Sequence, residues 1–100
     1  HQQHTQRPQT MTIIDQAKEI VEGDREKTYG SPGVNLKRIA DQWSCYLNQK
    51  HGSEAKLSEQ DVCWMMVLLK MARQIHSYKD DNLVDAIGYI ALIDKVGNRE

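Results

Sequence analysis

"LLKMARQIHSYKDDNLVDAIGYIALI", residues 68–93, reads as two helices joined by a short polar turn, with Lys70, Arg73, Asp81 and Asp85 set into otherwise apolar runs on either side. With antiparallel helices and a turn of about five residues, counting outward places Arg73 level with Asp85 and Lys70 one turn deeper, near Gly88 and Tyr89. Asp81 and Asp85, four apart, share a face. The charges have two explanations: Arg73 pairs with Asp85 and fixes the hairpin register, or they line a site for a charged ligand. A buried pair contributes little net stability but is costly to break on one side.

The flanking sequence extends the helical pattern. Val62 to Leu69, "VCWMMVLL", is apolar all round, the mark of a helix covered by neighbours or by another subunit. Ser58 is a good N-cap and Asp61, three residues on, completes an acidic capping box; with Glu59 it also suits the positive end of the helix dipole. Upstream, Leu36, Ile39, Ala40, Trp43, Tyr46 and Leu47 recur at three- and four-residue steps, as do Ile13, Ala17, Ile20 and Val21. The spacing predicts an all-α, four-helix bundle-like domain with helices over about residues 12–22, 35–50, 58–76 and 81–96. Thr12 and either Asp80 or Asp81 serve as N-caps, and Gly23 ends the first helix. Gly88 costs about 1 kcal/mol relative to Ala in mid-helix, so it is expected to let another backbone or a ligand come close.

Residues 1–11, polar and Gln-rich, read as a disordered arm or a cloning remnant, and residues 12–100 as a single domain. A domain of this size buries only about 60–70% of its unfolded surface, which favours a homo-oligomer. Thirteen basic residues against fourteen acidic ones leave a net charge of -1. No global basic field draws the chain to nucleic acid or to an anionic membrane, so any anion site must be local. The longest apolar run is too short to span a bilayer. Cys45 and Cys63 lack the spacing of a zinc site and read as buried thiols in a reducing cytoplasm. No GxxxxGK[ST] loop is present, which removes P-loop kinases.

"DREKTYGSPGVN", residues 24–35, is a long connection for a small protein, and such loops are often functional. Its Arg25 and Lys27 join Lys70 and Arg73 as candidate anion contacts, since Arg grips phosphate oxygens with two donors and Lys adds a point charge. Tyr29, Trp43 and Tyr89 could offer a stacking face to a base. The expected ligand-binding set is therefore Arg25, Lys27, Tyr29, Asn35, Trp43, Lys70, Arg73, Asp85 and Tyr89. Arg25, Lys70 and Arg73 are assigned to phosphate, Tyr29 and Trp43 to base or sugar packing, and Asp85 to orienting Arg73 or accepting from a sugar hydroxyl.

The pattern "DREKTYG", "NLKRIADQW", "DVCWMMVLLKMAR" and "DDNLVDAIGYIAL" resembles a family of small bacteriophage and prophage proteins that carries no settled activity. The likeness covers residues 13–96 and rests on Arg25, Tyr29, Gly30, Asn35, Ile39, Ala40, Trp43, Asp61, Val62, Met66, Lys70, Arg73, Asp85, Gly88 and Tyr89. More distantly, "DNLVDAIGYIALI" is similar to the second metal-binding helix of MazG-type all-α nucleotide pyrophosphohydrolases. That resemblance implies dimers or tetramers, and magnesium held by two carboxylates from each of two facing helices. Asp81 and Asp85 would stand for the second pair, as metal ligands or catalytic acids. Lys70 and Arg73 replace the first pair, and cations repel magnesium.

The expectation is a small phage-type protein that binds a phosphorylated small molecule, a nucleotide or nucleotide signal, without a cofactor. One alternative is a nucleotide-converting enzyme on a MazG-like scaffold, either a phosphohydrolase using magnesium or a metal-free phosphotransferase. Another is an interaction module whose apolar third helix docks on a host protein.

Overall fold

The computed structural model describes residues 11–22 and 31–96, which form four helices in chain order: α1, Ile13–Glu22; α2, Pro32–His51; α3, Glu59–His76; and α4, Asp80–Val96. No strand occurs among the described residues. The all-α, four-helix bundle-like expectation holds. The proposed arm over residues 1–11 lies outside the described residues except for Met11.

The helix ends arise from local chemistry. At α1, the Thr12 hydroxyl accepts from the Asp15 amide at 3.0 Å while the Asp15 carboxylate accepts from the Thr12 amide at 3.4 Å. The Ser58–Asp61 capping box expected at α3 is present in both directions, at 3.1 and 2.8 Å. Each satisfies amides that a helix start leaves without a partner.

Helix α2 begins earlier than residue 35. Ser31 is its N-cap, accepting from the Val34 amide at 3.3 Å, and Pro32 occupies the first turn. "SPG" has the composition of a turn, yet a Ser before a Pro also starts a helix well: the hydroxyl caps it, and Pro lacks only an amide that has no partner there. The connection from α1 is correspondingly shorter. At the other end Gly52 takes a left-handed conformation, φ 67°, and donates to the Asn48 carbonyl at 2.9 Å.

Two side chains pin the link from α2 to α3. Asn48 accepts from the Ala55 amide and donates to its carbonyl, and Ser44 accepts from the Leu57 amide while donating to the Ala40 carbonyl. The core lies where α2, α3 and α4 meet. Leu36, Ala40, Val62, Cys63 and Leu92 are buried, with Trp43, Met66, Tyr89 and Ile93 packed around them. Helix α4 packs against α3 along one side and α1 along another, while α2 lies mainly on α3.

Gly88 is buried in the α1–α4 contact, where an added Cβ would sit 3.7 Å from the Val21 side chain. The close neighbour is thus a side chain, and the distance is ordinary van der Waals contact. Gly88→Ala is expected to stabilise the fold by about 0.5–1 kcal/mol through helix propensity, read as a rise in denaturation midpoint. A fall would mean that α1 cannot accommodate the methyl group.

Cys63 is fully buried as expected, but Cys45 is exposed, because it lies on the face of α2 turned away from the core residues Leu36 and Ala40. Burial, with a smaller contribution from the negative charge of Glu59, pushes the Cys63 thiol up from 9.0 to about 11. The native protein should therefore react with a thiol reagent at Cys45 alone, and at both cysteines once unfolded. Because the folded chain holds the Cys63 proton more tightly, this contribution to stability is complete below the unfolded value of 9.0. It is lost as pH rises through about 11.

Candidate functional site

The site is built on the α3–α4 hairpin. Residues 77–79 form a turn of three residues between α3 and α4. Gln74 locks it: its side-chain oxygen accepts from the Lys79 amide at 3.0 Å and from the buried Asn82 amide group at 2.9 Å. The Ser77 amide closes α3 on the Arg73 carbonyl at 3.3 Å. Asp80 begins α4 and is enclosed, 2% exposed, where the helix dipole favours a carboxylate.

This short turn changes the pairing across the hairpin. Lys70 Nζ lies 3.0 Å from Asp85 Oδ2, so the expected Arg73–Asp85 pair is replaced by Lys70–Asp85. The expectation assumed about five turn residues. With three, the helices face each other closer to the loop, Gln74 meets Asn82, and the side chain one turn behind Arg73 reaches Asp85. Asp85 therefore orients Lys70 rather than Arg73. The Lys70 side chain is 12% exposed and that of Asp85 37%, so the cation is the more deeply enclosed partner.

Arg73 is exposed and makes no ion pair among the described residues. It lines a cleft of about 680 Å³ with Lys70, His76, Lys79, Asp81 and Asp85. The four charges of the hairpin thus share one cleft, where three cationic side chains face two carboxylates. Lys79 and His76 are additions to the expected set. His76 has a sufficient reason at the end of a helix, and Lys79 lies in the turn itself, where its position depends on turn length.

A second, smaller cleft of about 170 Å³ lies where α1, the start of α2 and α4 converge, lined by Val21, Pro32, Asp85, Gly88 and Tyr89 among others. Asp85 borders both clefts. Trp43 instead packs against the core, and Asn35, in the first turn of α2, lines neither cleft. Arg25, Lys27 and Tyr29 lie outside the described residues.

Among the described residues the donor set does not fit a MazG-type magnesium site. Magnesium needs near-octahedral oxygen ligation, but the Lys70 ammonium occupies Asp85, and Asp81 is the other carboxylate in the cleft. Among the described residues, no three His, Cys, Asp or Glu side chains converge on one point. What the cleft offers is a partly neutralised floor, Lys70 against Asp85, beneath an uncommitted guanidinium.

Among the described residues no helix is long and apolar enough to cross a membrane. The chain is similar to two phage proteins. It is 39% identical over 87 residues to the Gene 55 protein of Mycobacterium phage L5, covering 86% of this chain and 53% of that protein. It is 34% identical over 86 residues to the Gene 55 protein of Mycobacterium phage D29, covering 85% and 53%. The chain spans about half the length of these curated relatives. No solved structure matches it. Residues 12–97, which include the charged hairpin and all four helices, match the family described as a domain of unknown function, DUF6378, and the chain belongs to that family.

Proposed function

We propose that this chain binds a phosphorylated small molecule, most simply a nucleotide, in the α3–α4 cleft. The observation that supports this reading best is Arg73, an exposed guanidinium without an ion pair among the described residues, lining a cleft with Lys70, His76 and Lys79. A guanidinium can donate two parallel hydrogen bonds to phosphate oxygens, and Lys79 adds an exposed charge nearby. Lys70 is held in place by Asp85, which offsets much of its charge, so it serves as a pre-positioned hydrogen-bond donor and the net positive charge of the cleft comes from Arg73 and Lys79. The cleft volume, about 680 Å³, falls in the range of small-molecule sites, about 300–1,000 Å³.

Tyr89 borders the smaller cleft on the other side of Asp85, with Val21 and Pro32. A base or sugar reaching past Asp85 would meet that apolar surface, and the carboxylate could accept from a sugar hydroxyl. Trp43, held in the core, has no part in this arrangement.

A thermal-shift screen tests the reading, using mono-, di-, tri- and cyclic nucleotides and inorganic pyrophosphate, with and without magnesium. A ligand present at about 100 times its Kd adds roughly 2.7 kcal/mol of stability. At least one phosphorylated compound should therefore raise the melting temperature by several degrees, and less so at high salt. A flat screen would remove the proposal.

A further inference from the structure

Helix α3 carries a second feature that the charged cleft does not use. Trp64, Leu68, Met71 and Ile75 succeed one another at steps of four, three and four, so they form a single stripe along the helix. They are 51%, 60%, 53% and 84% exposed. The stripe lies away from Val62, Cys63 and Met66, which face the core, and Met65 widens it on one flank, at 39% exposed. It contains no charged residue. The all-round apolar character of this helix is thus covered on one side only among the described residues.

We propose that this stripe is the interface of a symmetric homodimer in which α3 packs antiparallel against α3 of a second copy. The charge distribution singles out a second copy as the occupant. Exposed Asp61 stands at the amino end of the stripe, and exposed His76 and Lys79 stand at its carboxyl end. Antiparallel pairing about a two-fold axis between Leu68 and Met71 places Trp64 of one copy over Ile75 of the other, and Leu68 over Met71. The same operation carries Asp61 to the Tyr78–Lys79 turn of the other copy, twice over. Helix dipoles then run in opposite directions, as they do favourably in antiparallel pairs. A parallel arrangement would set acid against acid and base against base. A two-fold interface must be self-complementary, and this stripe is so in both apolar spacing and end charge.

The dimer shares His76 and Lys79 with the rim of the charged cleft, but its apolar contacts do not enter that cleft and its test does not use a ligand. Sedimentation velocity of the full chain at micromolar concentration should give twice the 11.5 kDa chain mass. Leu68→Glu and Met71→Lys each place a charge at the axis on a side chain that is outside the core. Each variant alone should be a monomer with unchanged helical circular dichroism. Mixed in equal amounts, the two should regain dimer mass, because position 68 of one copy meets position 71 of the other. A monomeric wild-type protein would overturn the proposal and turn attention to a different protein partner for this face. So would variants that stay dimeric, or well-folded variants that fail to recover on mixing.

Discussion

Asp85→Ala is expected to destabilise the protein by about 2–4 kcal/mol, while Lys70→Met costs roughly 1 kcal/mol or less. The asymmetry comes from burial. Lys70 is 12% exposed along its side chain and Asp85 37%, so removing the carboxylate leaves the charge of the more enclosed partner without its counter-ion. Removing the ammonium leaves a carboxylate that is still partly hydrated, and Met refills the apolar stem of Lys70. In a domain of this size, 1 kcal/mol corresponds to roughly 4–8 °C in melting temperature. Asp85→Ala should thus lower it by roughly 8–30 °C. The double variant should recover most of that loss, because no buried charge is left alone. Equal costs for the two single changes, measured by urea unfolding, would mean that the deeper enclosure of Lys70 does not make it the more dependent partner.

Arg73→Ala should do the opposite: leave stability within about 0.5 kcal/mol of the parent and remove ligand affinity. Arg73 is exposed and makes no ion pair among the described residues. A hydrogen bond from a charged group contributes about 1.5–3 kcal/mol, and a change of 1.4 kcal/mol is tenfold in Kd. The variant should bind a phosphorylated ligand roughly tenfold to a hundredfold more weakly. Arg73→Lys should recover part of the loss, since a point charge replaces a planar fork. The contrast between the two positions is informative: Asp85 changes stability first and binding as a consequence, whereas Arg73 changes binding alone. Equal affinity in Arg73→Ala would place the ligand elsewhere or dispense with it.

The hairpin is legible in the sequence because its parts obey local rules. Apolar residues recurring at helical spacing, Ser58 three residues before Asp61, and Thr12 as a cap ahead of an apolar stripe each specify an element without reference to the rest of the chain. The pairing partner of Asp85 is not local. It depends on whether the turn holds three residues or five, and that is decided by Gln74 reaching both Lys79 and Asn82, a contact between elements. The start of α2 escapes the sequence for another reason: Ser31–Pro32–Gly33 serves equally as a turn or as a helix start, and only the Val34 amide turning back onto the Ser31 hydroxyl separates the two. Trp43 illustrates the limit for aromatic residues. Its spacing on α2 places it on the apolar face, and the same spacing is satisfied by the core, where it lies.

The cleft itself can be anticipated in part. Lys70, Arg73, Asp81 and Asp85 stand out in the sequence and share one cavity, but Lys79 enters it only because the turn is short. The division of labour between a held Lys70 and an uncommitted Arg73 is the feature that the sequence could not supply, since both residues have the same charge and similar reach.

The most direct test incubates wild-type and Arg73→Ala protein with a mixed nucleotide panel, with and without magnesium, and resolves the protein-free filtrate by anion-exchange chromatography. Wild-type protein should deplete at least one phosphorylated compound, which returns intact on denaturing the protein, while Arg73→Ala should leave it in the filtrate. New peaks in place of the depleted one would show conversion as well as binding and would identify the reaction. An unchanged panel, or equal depletion by both proteins, would contradict the assignment of the α3–α4 cleft as a phosphate site.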